Sequence, residues 1–524
     1  MERQAPRQIL YENQLPLAVE SKSTRRLFFP EGGSTYGPTG GGTHPNIIRI
    51  PINADSLLDV QHSYLQFNLT NTSTANANGG IAPDFGVPFI RRLRIESGGT
   101  TLEDIEEYGK LYGGVLFPSQ AGVGAVQESS ITTAGVGNTA ATLSDWAVSG
   151  ATGGPSAAWD HANFAAADDN NQGGIDARKA LYDSLKAQAD GLTISGASTL
   201  SGVKHGNATT LLKDAVTTYN VPLVSALMNM DKYLPLVMMN AGITLELELD
   251  IANSIGVSVT DGRAGQNGTA ENTATTWTIS DVRYVAHLID LQRDFYDKMR
   301  MVMEGSGGVL QLAGSTFRHY SGSVAAASES DTINIPSRVK SIKSVFFTQQ
   351  VNTAKSSGLR FGVSESIPNN IKEYQFRIGS VVYPPTAVKL SGGAGASYTN
   401  RGEAYSEYRK AFGTLGDYSE GGVLINKDTY LEGNATTKEG SLYPIGSHND
   451  LNAQVPTFCP MGLDFESFPK TALESGVNTA DRSLPMSLDI KRHSAAGHPC
   501  NVDVWVMCDA IFYVNLDGSV SVSI

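Results

Sequence analysis

The stretch that decides the fold is YNVPLVSALMNMDKYLPLVMMNAGITLELELD, residues 219 to 250. Two proline-centred triplets, Val221–Leu223 and Leu234–Leu236, bracket a Met-rich segment, and an alternating tail follows. In that tail Ile243, Leu245, Leu247 and Leu249 face one way, while Thr244, Glu246, Glu248 and Asp250 face the other. A period of two is the mark of a half-buried strand in an antiparallel sheet. The whole stretch therefore reads as strand (VPLVSAL), short helical turn (MDKYLPL) and strand (GITLELELD). It is the most apolar part of the chain, yet Asp231, Lys232, prolines and asparagines interrupt it. It falls short of the ~20 apolar residues that cross a bilayer.

Upstream, NIIRIPIN, SYLQFNLTN and VPFIRRLRIES carry strand patterning, with Pro51 placing its segment at a sheet edge or strand end. TLEDIEEYGKLYG predicts a helix. Thr100 or Thr101 is its cap, acids crowd its first turns, and Leu102, Ile105, Tyr108 and Leu111 recur at helical spacing. Downstream, TTWTISDVRYVAHLIDL is a further strand. LQRDFYDKMRMVMEG is an amphipathic helix with Leu291, Phe295, Met299 and Met303 on one side.

After Gly305–Gly308 the order of signals restarts. GVLQLAGSTFRHYSG and DTINIPSRVKSIKSVFFTQQ supply strands, and INIPS echoes IRIPI. EYQFRIGSVVYPP echoes PFIRRLRIESGG, and NRGEAYSEYRKAFG is a helix in the place of TLEDIEEYGKLYG. LPMSLDIKRH matches GITLELELD, and NVDVWVMCDAIFYVNL matches DVRYVAHLIDL. A duplicated order of elements carries more weight than any single match. It predicts an all-β chain of two tandem eight-stranded antiparallel jelly rolls with short helices and long loop insertions. The expected divisions are an N-terminal arm (1–44), a first roll (45–304, insertion at about 114–215) and a second roll (305–524, insertion at about 414–481). Within the first insertion DARKALYDSLKAQA is a short helix.

Composition agrees with this class. The 524 residues are 40% hydrophobic and 17% charged, with 55 Gly for turns and loops. The net charge of −13 excludes nucleic-acid binding by bulk electrostatics. The arm is the exception, since Arg3, Arg7, Lys22, Arg25 and Arg26 face only Glu2, Glu12 and Glu20. Five cations make a weak independent phosphate site, but many copies in an assembly would line an anionic compartment by avidity; a flexible tail that aids solubility is the other reading. MERQAPRQILYENQLPL has no uninterrupted apolar stretch after its charges, so no signal peptide is expected. Cys459, Cys500 and Cys508 are an odd set without framework spacing, expected as reduced core residues.

Catalytic signatures are absent: GxxxxGK[ST], HExxH, GxSxG and CxxC do not occur, and the Gly clusters at 135–140 and 392–397 fail GxGxxG spacing. Glu103 and Glu107 stand at i, i+4, which a solvated helix N-terminus explains. Glu246 and Glu248 share a strand face, as expected of a water-facing or subunit-facing sheet rather than a glycosidase pair. His493, His498 and Cys500 form the one His/Cys cluster, and a fourth metal ligand would have to come from afar, such as His448. No catalytic, cofactor or metal residue is expected.

The order FFPEGG, IIRIPIN, DVQHSYLQFNLTN, FIRRLRIESGGTTLEDIEEYGKLY and VPL…YLPLVMMNAGITLELELD is similar to double jelly-roll major capsid proteins of the adenovirus and tectivirus lineage. It looks most like those of Polinton-like viruses, virophages and large eukaryotic DNA viruses. The similarity spans most of residues 25 to 304 and, more loosely, 305 to 524, where VPTFCPMGLDFESFP replaces the Leu-Pro-Leu turn. The resemblance implies a homotrimer of pseudo-hexagonal outline that tiles an icosahedral virion shell around double-stranded DNA. It implies insertions turned outward towards a host surface and the arm turned inward to genome or inner membrane. Penton and minor capsid proteins are the further partners implied. The rival reading is a β-sandwich carbohydrate-binding or adhesin protein, with a glycosidase a distant third.

Overall fold

A computed structural model describes residues 20–38, 44–72, 80–83, 87–120, 211–212, 216–230, 232–251, 257–259, 276–305, 307–326, 328–352, 363, 366–390, 401–413, 459–467, 474–481, 484–493 and 499–524. In the first half the strands are β1 (Ser21–Phe28), β2 (Thr35–Tyr36), β3 (Ile47–Ile52), β4 (Leu57–Asn71), β5 (Gly80–Pro83), β6 (Ile90–Ser97) and β7 (Thr100–Glu106). A helical run from Tyr108 to Gln120 follows, π-helical over Leu111–Leu116. Then come β8 (Leu211–Leu212), β9 (Val216–Val221), β10 (Leu234–Pro235), β11 (Ile243–Leu249), β12 (Val257–Val259) and β13 (Trp277–Leu291). Helix α1 (Arg293–Gly305) leads to the second half. That half holds β14 (Val309–Val324), β15 (Ser330–Ile335), β16 (Ile342–Val351), β17 (Ile371–Ile378), β18 (Val381–Lys389), α2 (Arg401–Ala411), β19 (Met461–Asp464), β20 (Met486–Arg492), β21 (Cys500–Asn515) and β22 (Val520–Ser523).

The two halves repeat one topology. The first pairs β1-β13-β4-β10 in one sheet and β3-β11-β6-β7 in the other. The second pairs β14-β21-β16-β19 and β15-β20-β17-β18, the same order element for element. Strands β2, β9 and β22 extend the larger sheets, and β12-β5-β8 forms a small third sheet. All named pairings are antiparallel. In each half the two four-strand paths enclose a core, which makes each half a jelly roll.

The alternation in GITLELELD does what its period demands. Ile243, Leu245, Leu247 and Leu249 are fully buried, against Ile48, Ile50 and Ile52 of β3 and Leu93 and Ile95 of β6. Each such side chain contributes about 1.5–3 kcal/mol by leaving water. Cys459, Cys500 and Cys508 are reduced and buried.

Four expectations are corrected. TLEDIE is strand β7, not the start of a helix. Its register slips between Ile95 and Glu96, so Leu102 is an extra, bulged residue. The bulge turns Leu102 and Ile105, three apart, both into the core, and so imitates helical spacing. The helix begins only at Tyr108, matching α2 of the second half. Second, the strand in VPLVSAL ends at Val221, and turns follow. Third, Ser21–Phe28 lies within the expected arm but pairs along β13 from Leu291 to Tyr284, so it belongs to the first sheet. Fourth, the expected insertion 414–481 contains β19, and Val477 bridges Ile342. The helix expected at DARKALYDSLKAQA lies outside the described residues.

Candidate assembly surfaces

The rolls meet through unlike faces. The first roll offers its edge strand β7, the 108–120 run and the turn at Val224–Asn229; the second offers the outward side of β14 and β21. Along β21 Val502, Val504 and Val506 enter the second core, so Asp503 and Met507 point outward to the first roll, Asp503 onto Lys110 and Met507 into a cavity lined also by Tyr112 and Phe117. At the centre Lys110 is only 3% exposed and binds the Asp503 carboxylate, with Gln350 Oε1 3.0 Å away. His319 Nε2 lies 3.0 Å from the other Asp503 oxygen, and Glu106 approaches His319 Nδ1 at 3.9 Å. Burial disfavours the Asp503 charge, but Lys110 and His319 more than offset it and hold the carboxyl well below its usual range.

Glu103 shows the opposite balance. Burial raises its pKa, although its carboxylate accepts the Ala226 and Leu227 N–H groups at 2.8 and 2.9 Å. Beside it Gly314 of β14 packs on Ala226, where a Cβ would stand 2.8 Å from the Ala226 carbonyl. Tyr408 of α2 donates its hydroxyl to the Val115 carbonyl (2.8 Å) and meets Ser119. A cavity of about 560 Å³ between the rolls is lined by Tyr112, Phe117, Ala226, Phe317, Phe412 and Met507.

The outward side of each smaller sheet carries a charge ladder. In the first roll Glu246 accepts from Arg49 Nε at 2.6 Å and Arg94 Nη1 at 3.3 Å, while Arg92 forks onto Asp104. The second roll holds Asp489 at the matching place, taking Thr332 Oγ1 at 2.8 Å and Arg377 Nε at 3.4 Å. Glu246 and Glu248 are thus members of cross-strand ion pairs; Glu248 lies 3.8 Å from Arg91.

The other candidates scatter. Lys22, Arg25 and Arg26 lie exposed on β1; Arg25 reaches the Tyr64 hydroxyl at 3.4 Å and Arg26 sits 5.1 Å over the Phe28 ring. Arg3, Arg7, His448 and His498 lie outside the described residues. Glu103 and Glu107 do not share a helix: Glu103 is on β7, and Glu107 takes left-handed backbone where strand turns to helix. His493 binds the Asn370 carbonyl through its backbone, and Cys500 begins β21. Among the described residues no group of three His, Cys, Asp or Glu side chains is placed to hold a metal. Among them, too, no helix is long and apolar enough to cross a membrane. Sequence reasoning missed Lys110, His319, Gln350 and Asp503. The one available signal was a charge inside the apolar run NVDVWV.

Strand direction separates the ends of the molecule. Ser21 pairs Leu291 at one end of β13, beside α1, while Asn71 pairs Trp277 at the other. β9, which follows the long first insertion, starts at that second end, since Val216 pairs Thr70. The 15 residues of β13 put roughly 45 Å between the arm's attachment and the insertion's return.

No protein-family model matches the sequence, and no curated protein matches it. Solved structures do. The VP54 chain of PBCV-1, fitted into a reconstruction of the virophage Sputnik, is 9% identical and aligns with a TM-score of 0.50 over 98% of this chain and 99% of its own. A chain of the Sputnik virophage itself is 10% identical, with a TM-score of 0.50 over 100% and 93%. The mavirus major capsid protein aligns at 11% identity and a TM-score of 0.46 over 100% and 95%. Strand order, sheet pairing and near-complete alignment agree: this chain has the double jelly-roll fold that its sequence resemblance to viral major capsid proteins implies.

Proposed function

We propose that the protein is a structural major capsid protein, non-enzymatic, whose homotrimers of pseudo-hexagonal outline tile an icosahedral shell around a double-stranded DNA genome. The observation that carries this reading is the side-by-side fusion of two like rolls through a buried, charged contact. It gives the chain two sixths of a hexagonal ring, with the arm's attachment and the return of the first insertion at opposite ends. The likeness in fold to the virophage and PBCV-1 chains supports it.

In this reading the divisions 1–44, 45–304 and 305–524 act as inner arm and two shell-forming rolls, with Ser21–Phe28 anchoring the arm to the first roll. Arg3, Arg7 and Lys22 contact genome or an inner membrane, while Arg25 and Arg26 are held on the sheet. The insertions face outward towards a host surface, and penton and minor capsid proteins complete the virion shell. Mass and shape in solution test the proposal. The expected species is three times the 55.7 kDa chain, about 167 kDa, with a hexagonal end view. A monomer at high concentration, or a discrete sugar-binding oligomer of another number, overturns it.

A further inference from the structure

A second buried charge cluster lies at the start of β16. That strand runs between β21 and β19, and its register on β21 slips at once: Ile342 pairs Cys508, but Ser344 pairs Met507. Lys343 is the extra residue, and a bulge re-aims the side chain it carries. The Lys343 side chain is 14% exposed and stands between two carboxylates, with Asp509 Oδ1 of β21 at 3.2 Å and Glu466 Oε1, just past β19, at 3.5 Å. Those carboxylates are 3% and 4% exposed. The Lys343 carbonyl accepts the Phe465 N–H at 2.7 Å, which holds Glu466 beside the bulge. The two oxygens of Asp509 are not equivalent. Oδ2 accepts the Ser341 hydroxyl at 2.8 Å and the Glu474 N–H at 2.9 Å, and the Gly476 N–H orients Ser341 at 3.1 Å. Paired backbone bonds between Ile342 and Val477 fix that segment to β16. Among the described residues Oδ1 accepts no hydrogen bond, although Lys343 Nζ stands beside it.

We propose that Lys343 and Asp509 join in an isopeptide bond that staples β16 to β21. A buried amine held against a carboxyl group is a nucleophile already placed at its electrophile. Oδ2, gripped by two donors, takes the negative charge of the tetrahedral intermediate, as in an oxyanion hole. Oδ1, without such donors, is the leaving oxygen. Glu466 is within reach of Nζ and carries protons from it to Oδ1. The Nζ–Cγ bond forms, the Cγ–Oδ1 bond breaks, and the two protons that the ammonium gives up leave with Oδ1 as one water. This balance needs no oxidant, reductant or co-reactant. The product replaces a desolvated ammonium and a desolvated carboxylate by one neutral amide. A link between residues so distant in sequence also removes loop entropy from the unfolded chain, as a disulfide would. The bond does not depend on the capsid reading.

The intact mass of the full-length protein, folded and then denatured for measurement, tests the bond. Wild type is expected one water lighter than its sequence mass. Its tryptic digest should contain a branched peptide that joins Lys343 to Asp509 and is uncut after Lys343. K343R is expected at its full sequence mass. D509N, which offers an amide in place of the acid, is expected to lose one ammonia instead of one water and to give the same branched peptide. E466Q, its folding checked by a melting curve, is expected to form the link about a hundredfold more slowly, the low end for loss of a positioned proton carrier. Wild type at its full sequence mass overturns the proposal, and so does a lost water with the Lys343 and Asp509 peptides still separate. E466Q that links as fast as wild type overturns the role of Glu466.

Discussion

Replacing Lys110 with Met tests the buried link between the rolls most directly. The ammonium is 3% exposed and binds Asp503 and Gln350, so the substitution strands a carboxylate that, among the described residues, keeps His319 as its ionisable partner. Removing one partner of a buried ion pair costs about 3–5 kcal/mol, chiefly through the charge left behind. Replacing both partners with apolar groups is often neutral or stabilising. K110M should therefore destabilise by several kcal/mol, and K110M/D503L by clearly less than the sum of the single changes. Hydrogen exchange of the 108–120 run reads the effect locally, which suits a chain too large for two-state unfolding. The pH dependence has a definite sign. Asp503 has its folded pKa lowered from an ordinary 3.8, so its contribution is present above about that pH and is lost as pH falls towards the lowered value. The stability gap between wild type and D503N should hold from pH 7 to near pH 4 and close only in stronger acid. K110M exchanging within twofold of wild type, or a gap already closed at pH 5, would refute the lock.

Three further outcomes are expected. Gly109→Ala places a Cβ 2.8 Å from the Val87 carbonyl and 3.0 Å from Pro88 Cα, so the protein should lose about 1–3 kcal/mol, seen as a lower melting temperature. Removing residues 1–19 should spare trimers and impair shell closure or genome retention, whereas removing 1–28 takes β1 from its sheet and should also lower thermal stability. Burial pushes the Cys508 thiol up to about 12, so a thiol reagent at pH 8 should label native protein slowly and all three cysteines once it is unfolded.

Most of the strand order was legible because period-two alternation survives wherever one sheet face meets core and the other meets water or charge. GITLELELD and LPMSLDIKRH are such strands, and they occupy the same place in their rolls. TLEDIE misled because one bulged residue, Leu102, converts a period of two into a spacing of three. The arm reading overran into Ser21–Phe28 because SKSTRRLF carries little apolar alternation; its order comes from pairing with β13. The assembly faces were hidden more deeply. In NVDVWVMC the outward residues Asp503 and Met507 meet the first roll, whose contact residues lie some 390 positions away, as Lys110 does from Asp503.

The sequence by itself determined the class, the duplication and the core faces, since hydrophobic period is a local property that each strand carries whatever its neighbours are. Tertiary structure alone decided that Lys110 reaches Asp503 and that Phe317 is covered while Phe29 is bare. It also decided that Glu246 is a ladder carboxylate between two arginines. The first two outcomes depend on which unlike faces of two similar rolls meet and the last on which strands pair within one sheet, matters of long-range packing and desolvated charge that local pattern does not encode.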